Sequence, residues 1–385
     1  MEELRELVER VVNGEEPSVA LVERVLREAP LHALVEAADW LRRMAVGDRG
    51  SYVVNVYIAY TNVCVARCPI CNFYAKNPRE AYTLTPREVE ALAARFRREK
   101  GVTEAHVTGG LDPRLAPDYY VEIVRRLKRL GLTVKAFTAE EIDFVARTHG
   151  ESVETLLREL REAGLDAMPG GGAEVLSDRV RRIIAPVKTS VERYLEVHRV
   201  AHRLGIRSNV TMLYGHVEEP VEVARHLLLV RRLQRETGGV ISFIPLRWNP
   251  GGTLLARSEE HRDEIESKAT PLYDIRIVAV SRITLYPLVK HIVAYWVAMG
   301  IELASVALRA GANDLGGTFY NEPVVAAARG SRRTRGLDPE QLEFIIAQAG
   351  LEPCERDTFY RCLGRRGEGM RAWETQTWLQ WRPSM

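Results

Sequence analysis

No apolar run in this chain reaches about 18 residues, the length a membrane-spanning helix needs, although 46% of its 385 residues are hydrophobic. Those apolar residues are therefore available for a folded core. No N-terminal stretch joins a basic, an apolar and a cleavage region, so a cytoplasmic chain is expected. Net charge is almost absent: 54 Lys and Arg against 52 Asp and Glu give +2. That balance argues against a broad nucleic-acid or membrane footprint. Internal repeats and low-complexity segments are lacking, and a 28% charged content beside so many apolar residues excludes a disordered chain. Cysteine is scarce, five in all, yet three fall within eight residues, "CVARCPIC" from Cys64 to Cys71. In a reducing compartment such a cluster points to metal or redox chemistry rather than to a disulfide framework.

The remaining sequence alternates short β-rich runs with longer amphipathic ones. Residues 1–50 carry Leu, Val and Ala at three- and four-residue spacing and predict a helical segment. "YVVNVYIAY" (52–60) predicts a buried strand. "TPREVEALAARFRREKG" predicts a helix with a Thr cap, Pro at its first position and Gly at its end. Further strands are predicted at "AHVTGG", "TVKAFT", "LDAMPGGG", "RSNVTMLYG" and "VISFIPLRW", each followed or preceded by a helical run. "IRIVAVSRITL" fits either class, and weaker strand candidates lie at "HIVAYW" and near Asp314. Alternating β and α units predict an α/β fold, a complete or partial (β/α) barrel over 51–325, with a helical extension at 1–50 and a C-terminal extension and tail at 326–385. In such barrels the chemistry sits where strands end and loops begin, which is where the cysteines and both glycine turns fall.

Three thiols after the first barrel strand admit several readings. A structural zinc site wants four ligands, and a thioredoxin-like pair uses only Cys68 and Cys71. Chance clustering of buried cysteines is a third reading. A four-iron cluster normally takes four thiolates; three would leave one iron open, and an open position is what catalysis at a metal requires. A non-catalytic metal-binding or redox module remains the alternative to an enzyme.

The spacing C-x-x-x-C-x-x-C at this point of a barrel resembles the radical S-adenosylmethionine (SAM) superfamily. The resemblance implies a [4Fe–4S] cluster on Cys64, Cys68 and Cys71 whose open iron takes the amino and carboxylate groups of SAM. The residue before the third cysteine is usually aromatic in the family and is Ile70 here; Phe73 and Tyr74 follow and could cover the adenine. By position the resemblance carries Gly109 and Gly110 of "TGG" to the methionine amino group. Glu174, after the three glycines of "PGGGAE", suits the SAM ammonium or ribose, or else opens the next helix as an N-terminal acid. Arg193 suits the SAM carboxylate or is an exposed helix arginine, and Thr138 is a further SAM contact. Glu140 and Glu141 are expected to begin a helix.

"YTNVCVARCPICNFY", "MPGGGAEVLSDRVRRIIAPVKTS", "SNVTMLYGHVE" and "FIPLRWNPGGT" resemble the aminofutalosine synthases, over about residues 25–325. Two sister groups share the layout: dehypoxanthine futalosine cyclases and the tyrosine-using subunit of deazaflavin (FO) synthase. The resemblance implies addition of a 5′-deoxyadenosyl radical to 3-[(1-carboxyvinyl)oxy]benzoate. Rearrangement and loss of a carboxyl carbon then give 6-amino-6-deoxyfutalosine for menaquinone biosynthesis, with a flavodoxin- or ferredoxin-like electron donor. For that substrate, Arg247 and Trp248 offer a guanidinium and an apolar wall, with Asn249 and Thr253 beside them. Relatives often carry neutral or smaller residues there, so Arg247 is read as a substrate clamp or as part of a rim ion pair. Tyr214 and His216 of "LYGHVE", with Arg247, are candidate catalytic groups, His216 equally a structural histidine. Asn62, His291 and Tyr295 are candidate substrate contacts. His198 and His202 lie four apart but lack the acid of a metalloprotease helix and read as structural. Cys354 and Cys362 read as two further thiols without a second cluster, and the tail holds three of the six tryptophans.

Overall fold

Three helices, Glu2–Val12, Val19–Glu28 and Leu31–Val46, begin the computed structural model, which describes residues 1–328 and 334–364. Their apolar faces bury Leu7, Val11, Val22, Leu34 and Leu41, as their three- and four-residue spacing requires. Gly47, at φ 70°, ends the third. The tail from 365 onward, with its three tryptophans, lies outside the described residues.

Six parallel strands in sequence order form one sheet: β2 (Asn55–Ala59), β3 (Glu104–Thr108), β4 (Thr133–Ala136), β5 (Ala167–Met168), β6 (Arg207–Tyr214) and β7 (Val240–Arg247). Helices cover the outer face, because neighbouring parallel strands need a crossover and their apolar sides need burial. The sheet curls into the partial barrel expected from the sequence. Parallel bridges Phe243–Ile292, Val293–Asp314 and Val56–Tyr320 carry the pairing on around it. "HIVAYW" contributes only the bridges of Ile292 and Val293 before a short helix, Trp296–Met299, and the ambiguous run before Pro287 is the helix Pro271–Leu285.

The run 52–60 is not one strand. β1 (Arg49–Val53) leaves at Val54 to join β8 (Asp314–Gly317) and β9 (Glu352–Arg356), with β10 (Cys362–Gly364) beyond β9. Asn55 marks the division: its Oδ1 accepts from Phe319 N at 2.8 Å and its backbone N–H donates to Thr318 Oγ1 at 2.9 Å. A second sheet thus packs the C-terminal segment against the start of the barrel. Cys354 and Cys362 are disulfide-bonded, where the sequence reading has two separate thiols. The antiparallel pairing of β9 with β10 brings their Cα atoms to 5.8 Å, within disulfide reach. No described helix is long and apolar enough to cross a membrane.

Candidate active site

Side chains alternate across a strand, and in this barrel one parity faces inward. His106 and Thr108 of β3, Asn209, Thr211 and Leu213 of β6, and Ser242, Ile244 and Leu246 of β7 line a single cavity of about 340 Å³. Cys64, Cys68 and Cys71 lie on its wall, together with Ile70, Phe73 and Tyr74. All three thiols are free. Burial pushes Cys68 up to about 12 against the pull of Lys188, and burial also raises Cys71, whose Sγ accepts from Phe73 N at 3.3 Å.

A zinc ion needs four donors gathered around one point, and no such group of three or more His, Cys, Asp or Glu occurs among the described residues. A four-iron cluster takes its thiolates on separate irons. The three free thiols that line this cavity are donors of that kind and fit that group.

The glycine turns reach the same cavity. Gly109 and Gly110 line it, and neither position admits a side chain: a Cβ would lie 2.5 Å from the Tyr60 ring at Gly109 and would strike the Val63 carbonyl oxygen at Gly110. The Gly109 amide is already taken, donating to Glu141 Oε1 at 3.0 Å, and that of Gly110 donates to Thr61 O at 2.9 Å. Glu141 also accepts from Tyr60 Oη at 2.7 Å, and from the amide and hydroxyl of Thr138 at 2.8 and 2.7 Å. Thr138 lines the cavity, but its hydroxyl serves as the cap of the helix Ala139–His149. Burial nonetheless raises the Glu141 carboxyl to about 7.

Glu174, at φ 47°, lines the cavity beside the Gly170–Gly172 turn. Lys188 Nζ stands 2.5 Å from its Oε1. Burial opposes ionisation of Glu174, yet Lys188 outweighs it and holds the carboxyl below its ordinary range. Lys188 also feels Cys68 and Glu140. Sequence reasoning missed this lysine, which sits in "APVKTS" without a motif of its own. Arg193 is not in the cavity wall: it lies on the helix Val191–Arg203, 43% exposed, with Nε 2.5 Å from Asp143 Oδ1.

Of the candidates for the substrate side, Arg247, Trp248, Asn249 and Tyr295 line the cavity, joined by Phe319 edge-on to Tyr295 at 4.7 Å. Arg247 Nη1 lies 3.1 Å from Asp274, so the guanidinium that lines the cavity is also ion-paired. Tyr214 and His216 fall outside the wall. Tyr214 has the opposite parity to Leu213 and turns behind the strand toward Asp274 and Tyr273. His216 is buried; its Nδ1 accepts from Val217 N at 2.7 Å and its Nε2 donates to Leu213 O at 3.0 Å. Both nitrogens have partners within the protein, Glu218 Oε2 also lying 3.1 Å from Nδ1, and burial lowers its basicity. Asn62 is also outside the wall. Its side chain ties the two ends of the cysteine loop, to Glu80 O at 2.9 Å and from Tyr82 N at 2.8 Å. His291 stacks on Tyr360 at 3.6 Å, away from the ring pocket. His198 and His202 both hydrogen-bond Ser208 and are structural.

His106 and Lys135 were not expected in the site. His106 stacks on Tyr57 at 4.7 Å, and burial drives it down to about 3, so it is a neutral imidazole. Lys135 pairs with buried Glu104 at 2.7 Å. The available signal was a polar residue at every second position of an otherwise apolar strand, as in "EAHVT".

The model of the radical SAM superfamily matches residues 58–230, and that of the CofH/MqnC C-terminal region matches 237–366. This chain belongs to the radical SAM superfamily. Its family brings a [4Fe–4S] cluster and SAM as the reacting pair. Among curated relatives, the aminodeoxyfutalosine synthase of Thermus thermophilus is 41% identical over 92% of this chain and 94% of its own. The 5-amino-6-(D-ribitylamino)uracil–L-tyrosine 4-hydroxyphenyl transferase 2 of Methanosarcina mazei is 39% identical over 88% and 86%. In fold, methylornithine synthase superposes with a TM-score of 0.67 at 21% identity, covering 90% of this chain and 97% of that one. HydG, a maturase of the [FeFe]-hydrogenase, gives 0.69 at 16%, covering 92% and 76%.

Proposed function

We propose that Cys64, Cys68 and Cys71 hold a [4Fe–4S] cluster and that the chain is an aminofutalosine synthase acting on 3-[(1-carboxyvinyl)oxy]benzoate. The observation that carries the reading is one cavity lined by the three thiols and both glycine turns together with Arg247, Trp248, Tyr295 and Phe319. When bound, the cluster supplies the electron that cleaves SAM. Glu174 and Lys188 offer the methionine end of SAM one charge of each sign, and Lys188 takes the carboxylate assigned by resemblance to Arg193. Phe73 and Tyr74 flank the adenine. Arg247 meets a substrate carboxylate with the part of its guanidinium turned from Asp274, and Trp248 and Tyr295 face the benzoate ring. The neutral His106 donates or accepts a hydrogen bond deeper in the barrel. Electrons come from a flavodoxin- or ferredoxin-like donor.

A second reading rests on the Methanosarcina relative, whose identity is nearly as high: a tyrosine-using FO synthase subunit. Tyrosine also brings a ring and a carboxylate to the same wall. Anaerobic reconstitution with iron and sulfide, then SAM with each substrate, separates the readings by product mass. A purine-bearing adduct supports aminofutalosine synthase. Free 5′-deoxyadenosine with a tyrosine-derived adduct supports the second reading, and a colourless protein holding one metal ion per chain would end both.

A further inference from the structure

The loop that follows β7 does more than wall the substrate side of the cavity. It is hydrogen-bonded along the cysteine loop at three successive points. Trp248 Nε1 donates to Ile70 O at 3.2 Å, Leu255 N donates to Pro69 O at 3.0 Å, and Asn72 Nδ2 donates to Gly251 O at 3.2 Å. Pro69, Ile70 and Asn72 all lie between or beside Cys68 and Cys71. The indole itself is fixed from behind. Its residue is 5% exposed, its backbone amide donates to Tyr214 O at 2.9 Å, and the His216 ring meets it edge-on at 6.2 Å. His216 is rigid in turn, held by Leu213 O and Val217 N, while its carbonyl accepts from Lys268 Nζ at 2.7 Å. A chain of fixed groups therefore runs from the end of β6 through His216 and Trp248 to the backbone between two cysteines. By contrast, the cysteine loop has no helix or strand of its own between Thr61 and Pro86 beyond one bridge, Thr61–Thr83.

We propose that Trp248 is a positioning residue for the cysteine loop, and that the loop 248–255 is a clasp setting where Cys68 and Cys71 stand. This rests on the reading that those cysteines hold the cluster. Its consequence is that the substrate wall and the cluster loop move as one body. An occupant seated against Arg247 and Trp248 bears directly on the geometry at which SAM is cleaved. His216 has a task here without any proton transfer: it is the buttress of the indole.

The clasp is testable on the full-length chain before any cluster is loaded. Anaerobic alkylation of the cluster-free protein, read cysteine by cysteine by mass spectrometry, reports how often each thiol is uncovered. Hydrogen exchange over residues 64–84 reports the loop backbone. Trp248→Phe keeps an aromatic ring and deletes the indole N–H; Asn72→Ala cuts another of the three ties, at a half-buried position. Both variants should raise the alkylation rates of Cys68 and Cys71 by about twofold to tenfold, the range that one net hydrogen bond carries. Loop exchange should quicken, and after reconstitution more SAM should be cleaved per product formed. Unchanged alkylation and exchange in both variants would overturn the clasp, even if Trp248→Phe lowered turnover, since Trp248 would then be a substrate wall alone. A wild-type chain that shows these ties but forms no four-iron cluster would sink the functional reading and leave the clasp standing.

Discussion

Glu174 and Lys188 meet at 2.5 Å inside the cavity whose wall carries the three free thiols. Both side chains are largely buried, at 12% and 17% exposure. Removing one partner leaves the other charge unpaired in a poor solvent, at a cost of about 3–5 kcal/mol. Lys188→Met should therefore lower the unfolding midpoint clearly, and Glu174→Gln should do the same. The double variant should lose less than the sum of the two. Denaturant unfolding of the four proteins measures that coupling.

SAM affinity should separate Lys188 from Arg193. Arg193 is a half-exposed partner of Asp143 and does not line the cavity. Arg193→Ala should leave the SAM dissociation constant within about twofold. Lys188→Gln, which removes a charge-assisted contact, should weaken SAM by about tenfold or more. Isothermal titration with the reconstituted protein decides it; an equal loss in both variants would restore Arg193 to the SAM site.

Arg247 should govern substrate and not SAM. Its guanidinium lies between Asp274 and the cavity, and burial alone would raise the Asp274 carboxyl further without it. Arg247→Met should raise KM for 3-[(1-carboxyvinyl)oxy]benzoate by about tenfold to a hundredfold, with SAM binding unchanged. Initial-rate kinetics at saturating SAM check the split.

Stability should carry a pH signature from Glu141. Burial raises its folded pKa to about 7 from the ordinary 4.5. The folded chain thus holds a proton that the unfolded chain has released between those values. The contribution is full below about pH 4.5 and is lost as pH rises through about 7, at most on the order of 3 kcal/mol. Glu141→Gln cannot titrate, so its stability relative to wild type should rise between pH 4.5 and 7. Denaturant midpoints across that range test the sign. Because Glu141 also holds the Gly109 amide and the Thr138 cap, the same variant should weaken SAM binding.

Much of the architecture was legible because its causes are local. Each of the six sheet strands stands out as a β-rich run next to a capped amphipathic helix, and parallel neighbours follow from that alternation. The cysteines and glycines are legible for a related reason: three thiols in eight residues, or a turn that admits no Cβ, leave their mark in consecutive letters. Where the reading failed, the cause lay at a distance. Val54 divides one apparent strand because β1 finds β8 and β9, whose residues come more than 250 positions later. Cys354 and Cys362 become partners only once β10 folds back on β9.

The sequence by itself determined the barrel, the cysteine loop and the glycine turns, since spacing and backbone freedom are properties of neighbouring residues. Tertiary structure alone decided which polar side chains face the cavity. Tyr214 points away while His106 and Lys135 point in, because strand parity becomes inside or outside only when the sheet curls. It also decided which cation meets which acid, giving Glu174 to Lys188 and Asp143 to Arg193. Ion pairing depends on distance in space, and that distance is set by the packing of elements far apart in the chain.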